Sequence, residues 1–286
     1  MNSDADNVPR APSTDGAQIA YTTRGSGRPA LVLIHGGLAN RTFWREQLDG
    51  LSPRHQVVVM DLAGHGASER RRADWTIPMF AEDVRAVVDH LGLARVVLIG
   101  NSLGGPVALE AAALLPDRAI GVVGVDTFHD ATVRQPPEEV RARAAAFARD
   151  PAGSCRAMVG QLFHPNAYSS LRVWAETEMC AVPPDVVVPM LEGFAGYDLA
   201  AAFRKAGVPI RAINGDLWPT QTDLNRTVVA DFDAVVIPHA GHYPMLEQPE
   251  VFNRLLERMV EELQRGARPL RPGARRRGTA DHTANP

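Results

Sequence analysis

At 286 residues, with 45 % apolar and 22 % charged side chains, the chain is long and apolar enough to bury a core, which excludes disorder throughout. Thirty basic against 33 acidic side chains leave a net charge of −3. That balance supplies no general field for holding nucleic acid or an anionic membrane, so neither is expected as a partner.

In chain order, residues 1–15 are polar and lack the basic and apolar regions of a secretory signal; they read as a disordered leader. The first apolar run, residues 30–34 (ALVLI), ends in His35-Gly36-Gly37. A helical pattern follows over 42–51. A second run, 56–60 (QVVVM), ends in Asp61-Leu62-Ala63-Gly64-His65-Gly66, and a helix is predicted over 77–91. The third run, 95–99 (RVVLI), leads into Gly100-Asn101-Ser102 and a helix over 104–115. The fourth, 120–125 (IGVVGV), ends in Asp126-Thr127. Continuous Val/Ile/Leu runs of this length are the pattern of strands covered on both faces, and their alternation with helices predicts an α/β fold with a mostly parallel sheet.

The rhythm breaks at residues 129–195, which hold no strand pattern. Helices are predicted at 137–149, 154–163, 170–181 and 184–194, forming a helical cap over the strand ends with Trp174 and Met190 among its large apolar residues. The core resumes over 196–265 with runs at 209–213 and 234–237 and a last helix at 249–263. The Arg-, Pro- and Gly-rich tail, 266–286, reads as disordered and solvated. Two cysteines, Cys155 and Cys180, are too few for a disulfide framework or a four-ligand zinc site and read as small buried packing residues. No apolar run approaches the roughly 18 residues that would span a bilayer. A soluble cytoplasmic protein is expected, and a homodimer is left open.

In open parallel sheets ligands bind at the carboxyl ends of the strands, where the polar and glycine-rich segments fall here. Gly100-Asn101-Ser102-Leu103-Gly104 is G-x-S-x-G at a strand-to-helix junction. Small residues two before and two after the serine let strand and helix pass closely, so the hydroxyl stands clear on a tight turn. The next helix points its N-terminus at the same place, which favours developing negative charge. Such a hydroxyl needs a positioned base. Of nine histidines, His242 lies on the loop after the last strand run and follows Ser102 in the order this arrangement requires, with His239 its local rival. His129 and His164, in or near the insertion, are placed where they could touch substrate but read first as solvated.

With these residues the chain resembles the α/β-hydrolase superfamily over about residues 16–265. The carriers are His35-Gly36-Gly37, the loop Asp61-Leu62-Ala63-Gly64-His65-Gly66-Ala67-Ser68, the Ser102 turn and Gly241-His242. The resemblance implies an oxyanion hole from the backbone N–H groups of Leu103 and Gly37. It also implies a third residue, an acid that orients the histidine. In most of the family that acid follows the penultimate strand in a Gly-x-x-Asp pattern. This chain reads Gly215-Asp216-Leu217-Trp218 there, with tryptophan where the acid belongs. A second known place is the end of the strand after the nucleophile helix, as in one group of haloalkane dehalogenases and in zearalenone lactonases, and Asp126 stands there. Asp126 is therefore favoured and Asp216 is the second candidate.

A serine nucleophile implies acyl-enzyme chemistry on a carboxylic ester, lactone, thioester or amide. The mainly apolar insertion favours a small hydrophobic ester or lactone, with Leu38, Trp174 and Trp218 as pocket residues. The expected reactants are that small molecule and water; no cofactor and no metal are called for. Carbon–carbon-bond hydrolases and cofactor-free haloperoxidase-like proteins share the same residues and remain alternatives, as does a ligand receptor on a hydrolase fold.

Overall fold

The computed structural model describes residues 8–267. Eight strands, β1 (Arg10–Pro12), β2 (Gln18–Arg24), β3 (Ala30–Ile34), β4 (Val57–Met60), β5 (Val96–Asn101), β6 (Ala119–Val125), β7 (Ile210–Asn214) and β8 (Phe232–Val236), form one sheet. Their spatial order is β1-β2-β4-β3-β5-β6-β7-β8; β1 and β2 run antiparallel to their neighbours and the rest are parallel. Every residue of β3, β4, β5 and β6 is buried, the reason these strands read as unbroken apolar runs rather than alternating ones.

The helices are α1 (Arg45–Leu51), α2 (Ile77–His90), α3 (Gly104–Leu114), α4 (Pro137–Arg149), α5 (Pro151–Val159), α6 (Ser169–Met179), α7 (Pro184–Glu192), α8 (Leu199–Ala206), α9 (Thr222–Val228), α10 (Pro244–Glu247) and α11 (Pro249–Gly266). Helices α2, α3 and α8 pack together on one side of the sheet, and α1 and α11 on the other. Between β6 and β7 the chain makes α4 to α8 without a strand; α4 packs on α5 and α7, and α5 on α6. None of the helices among the described residues is long and apolar enough to cross a membrane.

Three expectations need correction. The predicted leader is not free from residue 8 onward: β1 pairs with β2, and Ser13 and Asp15 dock on a buried ion pair, Arg72 with Asp83. That anchoring is polar, so no apolar pattern announces it; residues 1–7 of the leader lie outside the described residues. The tail prediction mostly falls outside them too, except that α11 continues to Gly266. Thirdly, Cys155 and Cys180 are not separate packing residues. The folding of α5 against α6 brings their Cα atoms to 5.7 Å, and they form a disulfide within the insertion. Two cysteines that cannot make a framework still suffice for one bridge. Such bridges persist in oxidising compartments, which weighs against the cytoplasmic expectation.

Candidate active site

Ser102 sits at the carboxyl end of β5 with φ of +51°, a left-handed conformation rare for a residue with a side chain. It is partly exposed although the residues on either side, Asn101 and Leu103, are buried. The two glycines explain how. A Cβ on Gly100 would lie 1.9 Å from the Gly104 carbonyl oxygen, and one on Gly104 would lie 2.4 Å from that of Ile34. Only glycine at 100 lets β5 meet α3 so tightly, and only glycine at 104 lets α3 meet the end of β3.

Asp126 follows β6, next to β5, and is likewise strained, with φ of +43°. Its carboxylate is held from two sides: Gly215 N–H donates to Oδ1 at 2.9 Å and His242 Nδ1–H to Oδ2 at 2.5 Å. The loop after β7, where most of the family keeps its acid, thus supplies a backbone donor to the acid instead. Burial works against ionisation of this carboxyl, but the imidazoles of His129 and His242 outweigh it and hold Asp126 well below the usual carboxylate range. His242 makes the direct bond. His129 Nε2, 3.7 Å from Oδ1, acts at that distance through its polar field.

Asn101 ties these segments together. Its side-chain amide donates to the carbonyls of Val125, at 2.9 Å, and His242, at 3.0 Å, so the residue before the serine anchors both the strand end before Asp126 and the backbone of His242. The His242 backbone N–H donates to Leu162 O, at 2.7 Å, in the insertion. Ser102 Oγ has no hydrogen-bond partner among the described residues; contacts of this kind commonly tighten only when substrate is present.

The loop after β3 approaches from the other flank. Leu38 is buried with φ of +61°. A Cβ on Gly37 would meet Met190 Cε of α7 at 3.3 Å and Leu103 Cδ2 at 3.8 Å, so Gly37 and Leu103 are neighbours under a methionine of the insertion. Neither the Gly37 nor the Leu103 amide N–H has a protein acceptor among the described residues. His35 fixes this loop: Leu62 N–H donates to its Nε2 at 2.9 Å, and Nδ1 faces Gly36 O at 2.7 Å. Burial, with the charge of Arg41, lowers His35 to about 4, and burial, with His35, lowers the adjacent His65 to about 3, so both rings are neutral scaffolding.

The other candidates fall in different places. Asp216 is exposed, accepts the His239 backbone N–H at 2.8 Å, and is not bonded to His242. The Trp218 ring lies edge-on, 5.7 Å from His242 and 5.9 Å from His129, partly open to solvent. Trp174 stacks on Phe43 at 4.7 Å under the Arg45 guanidinium and reaches His242 only through Phe43 and Tyr243; it packs the joint of insertion and core. Sequence reasoning read His129 as solvated, where the structure sets it beside Asp126, and passed over Asn101. A lone histidine on a loop carries no local signal, whereas Asn101, wedged between Gly100 and Ser102 at a strand end, was open to the question of which groups its amide would satisfy.

A model described as the alpha/beta hydrolase fold matches residues 29–158. An uncharacterised protein of Mycobacterium tuberculosis is 40 % identical over 101 residues, which is 35 % of this chain and 29 % of that relative, so the match spans under a third of the relative's length. The 3-oxoadipate enol-lactonase 2 of Acinetobacter baylyi is 23 % identical over 264 residues, 85 % of this chain and 93 % of the lactonase. A thermophilic esterase from Thermogutta terrifontis superposes with a TM-score of 0.79 at 25 % identity, covering 90 % of this chain and 99 % of the esterase. The matched model spans somewhat under half of the chain, and over most of its length the chain is similar to hydrolases of the α/β-hydrolase fold.

Proposed function

We propose that the protein is a serine hydrolase that cleaves a small, mainly hydrophobic carboxylic ester or lactone through an acyl-enzyme, with Ser102 as nucleophile, His242 as base and Asp126 as the orienting acid. The observation that carries this reading is the 2.5 Å bond from His242 Nδ1–H to Asp126, made beside a strained, partly exposed Ser102 whose neighbour Asn101 grips the His242 backbone. With Nδ1 committed to Asp126, Nε2 is the nitrogen left to take the serine proton.

Ser102 Oγ attacks the acyl carbon as His242 Nε2 removes its proton. The carbonyl oxygen becomes an oxyanion facing the free N–H groups of Gly37 and Leu103, and loss of one such donor costs about 3 kcal/mol. Collapse of the intermediate expels the alkoxide, which takes the proton back from His242; in a lactone it stays tethered to the acyl chain. Water, deprotonated by His242, then attacks the acyl-serine, and the carboxylic acid leaves as Ser102 recovers its proton. Asp126 stays charged throughout and stabilises the imidazolium. The substrate class rests on the apolar side chains beside the site, Met190 over Gly37 and Trp218 against His242, and on the esterase and lactonase among the relatives.

The test is labelling by a fluorophosphonate, followed by hydrolysis of p-nitrophenyl acetate and butyrate and of a lactone panel. Labelling and steady release, both lost in Ser102→Ala, are expected. A single slow turnover, as a receptor would give, or activity that survives Ser102→Ala, refutes the reading.

A further inference from the structure

We propose that His164, Asp216 and His239 form a binding site for a divalent transition metal of the zinc class, set in the joint between the helical insertion and the loop that carries His242. The three residues come from three segments: the turn after α5, the loop after β7 and the loop after β8. Each offers one donor atom, and these atoms all lie within 4.8 Å of one another. The rings of His164 and His239 stand edge to face at 5.5 Å. Two imidazoles and a carboxylate are a donor set that suits zinc, with water to complete the shell at an exposed position. Donors about 2.1 Å from zinc sit roughly 3.4 Å apart in a tetrahedron, so the side chains need to close by at most about 1.4 Å. Asp216 and His239 are exposed, and Oδ1 of Asp216 is open to turn toward the ion while Oδ2 keeps its bond to His239 N–H.

The backbones beneath the donors are already fixed. His164 N–H donates to Glu247 Oε2 at 3.2 Å, and its carbonyl accepts from Arg172 at 2.7 Å. Asp216 N–H donates to Ala240 O at 2.9 Å, and Asp216 Oδ2 accepts from His239 N–H at 2.8 Å, leaving Oδ1 without a partner among the described residues. His239 is held at φ of +59° without being glycine. One contact opposes binding: Asn166 N–H points at His164 Nδ1 at 3.2 Å. A metal at Nδ1 replaces that long contact; one at Nε2 moves the ring proton to Nδ1 and ends it. None of the three donors takes part in the proposed acyl transfer. A bound ion would fasten the turn at 160–168 to a loop three residues from His242, next to the existing bond from His242 N–H to Leu162 O.

The test uses the full chain without a histidine tag, stripped with EDTA and exchanged into metal-free buffer. Calorimetry with Zn²⁺ is expected to show one equivalent bound, with a melting temperature that rises with Zn²⁺ concentration. His164→Gln and His239→Asn each weaken uptake by about tenfold or more and abolish the thermal shift, while His90→Ala changes neither. Asparagine tolerates the left-handed backbone at 239, and circular dichroism checks that each variant is folded; should that one fail, Asp216→Asn carries the same expectation. Co²⁺ gives visible absorption bands that the same substitutions remove. Absence of stoichiometric uptake, or wild-type Zn²⁺ affinity in folded His164→Gln and Asp216→Asn, overturns the proposal. These readouts do not depend on ester hydrolysis, so the site and the serine mechanism stand or fall separately.

Discussion

Among the described residues, the five non-glycine residues with positive φ are Leu38, Ser102, Asp126, Phe128 and His239, and all follow the carboxyl ends of β3, β5, β6 and β8. Each such conformation costs on the order of 1–3 kcal/mol and persists only where its surroundings dictate it. The sharpest consequence concerns the acid. Asp126→Asn leaves the shape intact but offers His242 an amide that favours the wrong tautomer, so kcat is expected to fall about 10⁴-fold with the fold unchanged by circular dichroism. Asp216→Asn, remote from that bond, is expected to hydrolyse p-nitrophenyl butyrate at close to the wild-type rate. The opposite pattern would move the acid to the loop after β7. At the turn itself, Gly104→Ala pushes a methyl group to within 2.4 Å of a backbone carbonyl, and expression as insoluble or inactive protein is the expected result.

Among the elements, the four helices predicted in the insertion are found as α4 to α7 within a few residues, and what sequence reading missed there is the disulfide. Met190 of α7 overhangs Gly37, so Met190→Ala is expected to open space for a bulkier acyl group. The ratio of kcat/KM for p-nitrophenyl octanoate over acetate should rise several-fold; an unchanged ratio would take α7 out of the pocket wall. The bridge from Cys155 in α5 to Cys180 just after α6 closes a short loop and is worth about 3 kcal/mol against unfolding on a chain-entropy account. Cys155→Ser is expected to lower the melting temperature, and dithiothreitol to affect the wild type alone. The parallel strands were legible because burial on both faces leaves a continuous Val/Ile/Leu record, as in 30–34 and 120–125. The antiparallel strand β2, QIAYTTR, carries exposed Thr and Arg residues and left no such record, and α8 to α10 are too short to display a period. In the site, Ser102 stood out through its glycines and His242 through its place after the last strand. The pairing of His242 with Asp126, the approach of His129 and the meeting of Cys155 with Cys180 depend on how loops from distant segments cross, which no local pattern encodes.

For the molecule as a whole, neutral buried histidines set an acid limit. His35 at about 4 and His65 at about 3 both lie below their unfolded value of 6.5. The unfolded chain therefore binds more protons than the native one below pH 6.5. Stability conferred by keeping these rings neutral is complete above that pH and is lost as pH falls toward 4 and then 3. Each ring contributes a slope of about 1.4 kcal/mol per pH unit in that window. Urea titrations at pH 7.0, 6.0 and 5.0 are expected to show midpoints that decline together with pH, and a flat series would mean that the rings are charged in the fold. The bond from His242 N–H to Leu162 O has a consequence for anyone remodelling this protein. Because the roof grips the backbone of the residue proposed to carry the proton, it is not an interchangeable part. A chimera that keeps the sheet but borrows the roof of a relative inherits a base whose footing has changed. Selectivity is therefore better altered one side chain at a time than by transplanting the whole segment.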